Sequence, residues 1–187
     1  MKRIIVGISA ADGVSIGVRL LERLREISDL ETHLVVSRNS DVNLRMELGT
    51  EREKILALAE RSYEPENMAA AISSGSFPTD GMIVAPCSMK SLAAISNGYS
   101  GTLLARAADV CLKERRRLVL IPREAPLSLI HLRNMERVAE AGGVILPSVL
   151  TFYSGGRTIE EQIDCLLGKA LLQFGIMLPG YRAWEGK

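Results

Sequence analysis

The sequence has almost no net charge, few histidines and few cysteines. Its 23 basic and 22 acidic side chains leave a formal charge of +1, so no overall field would hold nucleic acid or an anionic membrane. Two distant histidines and three cysteines without a CxxC pair predict neither a metal site nor a redox couple. No apolar run reaches the roughly 18 residues that a membrane-spanning helix needs.

The cysteines and the first residues indicate a cytosolic protein. Cys87, Cys111 and Cys165 are odd in number and widely spaced, and buried reduced thiols are their simplest interpretation. Residues 1–3 run directly into a short apolar strand, without the longer apolar region of a signal peptide. We therefore expect a cytoplasmic location.

The composition is that of a globular protein with one core. Hydrophobic residues make up 47% and charged residues 24% of the 187 residues. No internal repeat, low-complexity tract or linker interrupts the chain. We therefore expect a single domain over residues 1–187.

Short apolar runs alternate with segments of helical periodicity. The runs are continuous rather than alternating, which is typical of parallel strands covered on both faces. Predicted strands cover 3–9, 32–37, 81–85, 117–122 and 144–146, with loop and at most a short strand near 68–72 between 61 and 80. Predicted helices cover 14–24, 50–60, 88–95, 103–114, 129–141 and a segment from 158 onward. The segments Thr50–Glu53 and Thr158–Glu161 resemble capping boxes at two helix starts. This pattern predicts an α/β fold, a three-layer, Rossmann-like doubly wound parallel sheet.

The predicted carboxyl ends of the strands carry small and hydroxyl-bearing residues. Ligands of open parallel sheets bind at this edge, where the helix N-termini offer free N–H groups to phosphate. The segments are 9–13, Ser37, 86–91 and 122–124. Ordinary strand–helix loops are also rich in serine and glycine, so this reading stays open at the level of spacing. A dinucleotide fingerprint is absent, because only Gly7 and Gly13 of the first loop region are glycine.

A second candidate group is basic. Arg106 lies in the largely apolar stretch LLARAADVCL, and Lys113 follows seven residues later on the same predicted helix face. Together with Arg123, Lys169 and the phenol of Tyr153, these side chains would suit a phosphate. We interpret Arg115–Arg117 as solvated surface charge.

At these residues the sequence resembles the UbiX flavin prenyltransferases, the companion proteins of hydroxyarylic acid decarboxylases. The matching segments are 86–90, 106–110, 112–114, 118–126, 130–132, 134–135 and 152–153. The PREAP stretch and the following HLxNM pattern are the most specific of these. The resemblance extends from Arg3 to about Trp184, nearly the whole chain.

The resemblance implies an enzyme that joins a dimethylallyl group from dimethylallyl phosphate to reduced FMN. It implies FMN contacts from Ala10, Ala11, Asp12, Ser37, Ser88, Met89, Lys90, Ser91 and Arg123. It implies a phosphate site formed by Arg106, Lys113, Arg123, Tyr153 and Lys169. Catalytic proton handling is implied for Glu47, Glu124 and Asp12. The resemblance also implies metal-independent chemistry, a homododecamer and delivery of prenylated FMN to a UbiD-type decarboxylase.

The first loop departs from the pattern of the resembled family. Ala10 stands where glycine is expected, and Asp12 stands where the family has a serine or threonine hydroxyl. We therefore keep a second hypothesis, an FMN-binding carrier or accessory subunit with altered or lost prenyl transfer. A third, an FMN-dependent cysteine decarboxylase, is disfavoured because the chain lacks that group's PxMNxxMW-type segment.

Overall fold

The computed structural model describes residues 1–152, 155–184 and 186, which contain a six-stranded parallel sheet. The strands are β1 (Lys2–Ile8), β2 (Leu30–Val36), β3 (Arg61–Tyr63), β4 (Gly81–Cys87), β5 (Arg117–Pro122) and β6 (Val144–Ile145). Their order is β3-β2-β1-β4-β5-β6, and every neighbouring pair is parallel. The order reverses between β1 and β4, so the predicted Rossmann-like sheet is confirmed.

Helices cover both faces of this sheet. They are α1 (Val14–Leu24), α2 (Ser40–Leu48), α3 (Arg52–Leu56), α4 (Met89–Ser96), α5 (Leu103–Lys113), α6 (Leu129–Glu140) and α7 (Ile159–Leu172). The apolar residues of α1, α2, α3 and α7 pack on one face, and those of α4, α5 and α6 pack on the other. None of these helices, in the part of the chain described, is long and apolar enough to cross a bilayer.

The central strands are apolar along their length because both of their faces are covered. Every residue of β4 is buried, and so are the last five residues of β1. Fully burying one such Val, Leu or Ile side chain contributes about 1.5–3 kcal/mol. Gly17 lets α1 approach β4 closely, since a Cβ there would lie 2.1 Å from the carbonyl oxygen of Ala85.

The region between β2 and β4 differs most from the sequence prediction. Helix α2 was not predicted, because Ser40 and Leu44 are its only buried residues and its apolar periodicity is weak. The predicted capping box at Thr50–Glu53 is wrong. Gly49 ends α2 in the left-handed conformation, and the amide of Thr50 donates to Leu44 O at 3.4 Å. Thr50 therefore closes the preceding helix, and Glu51 precedes a short α3 without a side-chain cap.

Two further details of the sequence prediction change. The short strand of the 61–80 segment is β3, whereas residues near 68–72 enter a 3-10 turn at Ala71–Ser73. Arg116 is not a free surface charge, since its guanidinium donates to Gly75 O at 2.5 Å and Phe77 O at 2.8 Å. It thereby anchors the loop before β4. The capping box at Thr158 is confirmed, with Glu161 at its third position.

Candidate active site

A cavity of about 290 Å³ opens at the carboxyl ends of β1, β2 and β4. Its position beside the reversal of strand order is where open α/β sheets bind ligands. The structure brings together here five of the residues proposed for the cofactor, namely Ala10, Ser37, Ser88, Lys90 and Ser91. Ala11 and Asp12 continue the same loop beyond Ala10, and Met89, the first residue of α4, is partly buried against the hydrophobic core.

Serine hydroxyls join the strand ends that form the cavity. The buried Ser9 donates its hydroxyl to Pro86 O at 2.8 Å and accepts the amide of Ser88 at 2.7 Å. On the other side, the amide of Ser37 donates to Ile8 O at the end of β1 at 2.8 Å, and the hydroxyls of Ser37 and Ser40 lie 2.8 Å apart. These contacts fix the loops after β1, β2 and β4 relative to one another.

The N-terminus of α4 forms one wall of the cavity. Ser88 caps this helix, with its hydroxyl accepting the amide of Ser91 at 3.3 Å. A helix N-terminus carries partial positive charge, and Lys90 adds a full charge at the cavity wall. Small side chains leave room for a flat ring, and hydroxyls, free helix amides and a cation can bind a phosphate. These residues therefore fit FMN, which has both groups.

Sequence reasoning missed part of the cavity wall. The additional lining residues are Arg38, Asn39, Pro65, Glu66, Thr102 and Leu104. Arg38 donates to Glu66 at 2.9 Å, and this hydrogen bond raises the pKa of the Arg38 guanidinium. The signal for Arg38 was its place directly after Ser37 at a strand end. Thr102 could have been recognised as the N-cap of α5, where its hydroxyl accepts the amide of Ala105 at 3.3 Å.

Asp12 and Arg123 form an ion pair at the carboxyl edge of the sheet and are not among the residues that line the cavity. The guanidinium of Arg123 donates to Asp12 Oδ2, and the backbone amide of Arg123 donates to Cys87 O at 3.1 Å. The loop after β1 is thereby linked to the end of β5. Glu124 is exposed next to this pair and accepts the amide of Ala125 at 3.1 Å.

Glu47 belongs to α2, and its carboxylate lies at the start of α1, directly after the loop that carries Asp12. Its carboxylate accepts the amides of Gly13 at 2.9 Å, Val14 at 3.3 Å and Ser15 at 3.2 Å. These amides have no partner within α1, because a helix leaves its first N–H groups free. Glu47 therefore occupies the anion site of α1, and within this structure its contacts are those of a helix cap.

Within one chain, Arg106, Lys113 and Lys169, described members of the proposed phosphate site, do not come together. Arg106 donates to Ser73 O at 3.0 Å and to Asp109 at 2.7 Å, and Lys113 pairs with Glu114. Lys113 lies about 10 Å farther along α5 than Arg106. Lys169 is exposed on α7, which packs on the opposite face of the sheet from α5. Tyr153 lies outside the described residues.

The remaining candidates for chemistry are packed or hydrogen-bonded. Cys87 is fully buried, and burial raises the pKa of its thiol to about 12, so it stays protonated and is no nucleophile at neutral pH. His33 is buried and its Nδ1 lies 2.8 Å from the Tyr63 hydroxyl, while His131 Nδ1 accepts the amide of Ser128 at 3.2 Å. Among the described residues no cluster of three His, Cys, Asp or Glu could hold a metal ion.

Known proteins resemble this chain over nearly its whole length. The Flavoprotein family profile matches residues 1–170. A probable UbiX-like flavin prenyltransferase of Sedimentibacter hydroxybenzoicus is 50% identical over 184 residues, which cover 98% of this chain and 97% of that protein. The chain belongs to the UbiX-like flavin prenyltransferases.

Solved structures of UbiX-like proteins have the same fold. The dodecameric FMN-dependent UbiX-like decarboxylase of Escherichia coli O157:H7 superposes with a TM-score of 0.95 at 46% identity, over 98% of this chain and all of that one. AnUbiX (PadA1), in complex with FMN and dimethylallyl pyrophosphate, gives the same TM-score and identity over 100% of this chain and 98% of its own. The FMN-dependent cysteine decarboxylase TvaF, at 14% identity and a TM-score of 0.63, shares the fold alone.

Proposed function

We propose that the protein is a flavin prenyltransferase that joins a dimethylallyl group from dimethylallyl phosphate to reduced FMN. The observation that carries this proposal is the cavity at the strand ends, with Ser37, Ser88 and Lys90 in its wall. Its full-length relatives are UbiX-like flavin prenyltransferases, and a structural neighbour binds FMN and dimethylallyl pyrophosphate. We further propose that the whole chain acts as one FMN-binding domain in the cytoplasm and supplies prenylated FMN to a UbiD-type decarboxylase.

The residues of the cavity bind and orient the flavin in this proposal. Ala10 and Ala11 leave room for a flat ring beside the backbone, and Ser37 offers a hydroxyl from the end of β2. The N-terminus of α4, with Lys90 and Ser91, binds the FMN phosphate. Reduced FMN supplies the nucleophilic N5 and C6 atoms, and the protein supplies position and field.

Cations assist departure of the leaving group. The C–O bond of the allylic phosphate breaks with its electron pair on the phosphate oxygen, so positive side chains lower the barrier. Arg123, which follows β5 and pairs with Asp12, is the first of these cations, and Glu124 beside it can deliver a proton to that oxygen. Tyr153, Arg106, Lys113 and Lys169 complete the proposed phosphate site.

The separation of these cations supports assembly of the site from more than one copy. Arg106 and Lys113 on α5 lie on the other side of the sheet from Lys169 on α7. One of the UbiX-like relatives is a dodecamer. We therefore propose a homododecamer in which α5 of one protomer reaches the cavity of another.

A mass measurement on the flavin tests the proposed activity. The purified protein is incubated anaerobically with reduced FMN and dimethylallyl phosphate or dimethylallyl diphosphate, and the extracted flavin is analysed by mass spectrometry. We expect a flavin heavier by one dimethylallyl unit with at least one donor. Only unmodified FMN with both donors would contradict the transferase.

The ion pair between Asp12 and Arg123 favours a second candidate, an FMN-binding carrier or accessory subunit. A carboxylate on Arg123 opposes binding of the anionic donor, whereas the flavin cavity is left intact. The same measurement separates the two functions, since a carrier retains FMN without changing its mass.

A further inference from the structure

Asp12 is placed where it competes for a cation of the proposed phosphate site. Its carboxylate accepts from the Arg123 guanidinium, and the backbone of Arg123 is anchored to Cys87 at the end of β4. The two side chains are 68% and 38% exposed, so an incoming ligand can reach both of them.

The loop that carries Asp12 is held from its other end. The amides of Gly13, Val14 and Ser15, which follow Asp12 directly, all donate to Glu47. The loop therefore bridges from α2 to the end of β5, and the position of Asp12 against Arg123 is set by contacts on both sides.

A guanidinium binds phosphate through its planar fork of donors, and a carboxylate uses the same donors. A phosphate that binds Arg123 must displace Asp12 or share the guanidinium with it. It must also approach the negative charge of Asp12, a cost that grows with the charge of the ligand. A serine or threonine at position 12 would impose neither cost.

We infer that Asp12 is a carboxylate latch on Arg123, which weakens the binding of anionic ligands at this site and discriminates against the more highly charged diphosphates. The inference rests on the proposed function, since it concerns the leaving-group side of the same site. It assigns to Asp12 the role of a specificity-determining residue. Because the pair is exposed, the expected change in affinity is modest, about two- to five-fold.

Calorimetric titration of the FMN-loaded protein with inorganic phosphate and pyrophosphate tests the latch. Asp12→Asn keeps the size of the side chain and removes its charge. We expect the Kd for pyrophosphate to fall by about two- to five-fold in this variant, and the Kd for phosphate to fall by less. Asp12→Ser, which restores a hydroxyl, is expected to change both constants in the same direction.

Glu26→Gln is the matched control for the loss of one carboxylate from an arginine pair. Glu26 pairs with Arg23 beyond the end of α1, at the opposite edge of the sheet from Asp12. We expect this variant to bind pyrophosphate as the parent protein does. An equal gain in affinity in Glu26→Gln would show a general charge effect and overturn the latch.

A double-mutant cycle separates the latch from the general field of Asp12. In an Arg123→Gln background, Asp12→Asn should lower the Kd for pyrophosphate by less than it does in the parent protein, because only the repulsion by the Asp12 charge remains to be removed. The same gain with and without Arg123, or no gain in either Asp12 variant, would overturn the inference. The latch and the transferase fail on different measurements, because the flavin mass decides transfer and the ratio of pyrophosphate affinities decides the latch.

Discussion

At the scale of single residues, the contacts of Glu47 are those of a helix cap, whereas the family resemblance implies a catalytic role in proton transfer. Its carboxylate satisfies three amides at the start of α1 and is close to the loop that carries Asp12. We predict that Glu47→Ala lowers the free energy of unfolding by about 1–2 kcal/mol, because these amides lose a charged acceptor. Chemical denaturation followed by circular dichroism measures this change.

Glu136→Ala provides the control for the Glu47 prediction. Glu136 is also a helical glutamate, but it is exposed in the middle of α6. We expect its removal to leave the unfolding free energy within about 0.5 kcal/mol of the parent value. Equal effects of the two substitutions would contradict the capping role of Glu47.

The burial of the cysteines predicts which of their thiols react in the native protein. Burial raises the pKa of Cys87 and of Cys111 to about 12, so both remain thiols well above neutral pH, and thiolate is the reactive form. Cys165 is only half-buried. We predict that a thiol reagent at pH 8 modifies Cys165 in the native protein, and that Cys87 and Cys111 react only after unfolding.

Peptide mapping by mass spectrometry identifies the labelled cysteines. Cys165→Ser should abolish native labelling and leave the labelling of the unfolded chain at the other two positions unchanged. Rapid modification of Cys87 in the native protein would show that its thiol is accessible and would reopen the nucleophile that burial excludes.

At the scale of secondary-structure elements, the N-terminus of α4 is the part of the cavity wall that suits a phosphate. Ser88 accepts the amide of Ser91 and also donates to the Ser91 hydroxyl at 3.1 Å. We predict that Ser88→Ala costs about 1 kcal/mol of stability through the lost cap and also weakens FMN binding. Flavin fluorescence titration measures the affinity.

Thr158→Ala is the matched control for the Ser88 substitution. Thr158 caps α7 in the same way, accepting the amide of Glu161 at 3.2 Å, but it does not line the cavity. We expect a similar loss of stability with unchanged FMN affinity. If both variants bind FMN equally well, the phosphate lies away from α4.

The elements that sequence alone predicts are those with a strong hydrophobic signal. The runs that became β1, β4 and β5 are buried on both faces, so their apolar composition specified them almost to the residue. Helix α2 was missed and the short strand β3 was placed too late in the chain, because both elements bury few side chains. Their formation depends on tertiary contacts such as the one between Glu47 and the start of α1.

The candidate site was predictable where strand ends determined it. Ala10, Ser37 and Ser88 follow β1, β2 and β4, which are neighbours in the sheet, and the topology brings them to one cavity. The far wall was not predictable, since Glu66 reaches the cavity from an irregular loop. The pairing of Asp12 with Arg123, 111 positions apart, was likewise beyond any local pattern.

At the scale of the whole molecule, the chain leaves apolar side chains uncovered. Leu129 and Ile130, at the start of α6, are 61% and 70% exposed, and Phe152 is 87% exposed. Large exposed apolar areas mark surfaces of association. This agrees with the proposed oligomer, in which neighbouring protomers would cover these residues.

The oligomer leads to a prediction about where the phosphate residues act. Arg106→Gln and Lys169→Gln should each abolish most transfer when produced alone, because every site then lacks one cation. Co-expression should restore part of the activity, since a mixed oligomer contains sites that combine Arg106 of one chain with Lys169 of another. Prenylated flavin formed per protein, measured on purified mixed oligomers, gives the recovery.

The matched control pairs Arg106→Gln with Lys113→Gln. Both residues lie on α5, so each site takes them from the same chain and no mixed site is complete. We therefore expect prenyl transfer to recover when Arg106→Gln is co-expressed with Lys169→Gln, and not to recover when it is co-expressed with Lys113→Gln. Mixtures of Arg106→Gln and Lys169→Gln that are no more active than the separate variants would mean that a single protomer brings these cations together, against the placement of α5 and α7 on opposite faces of the sheet.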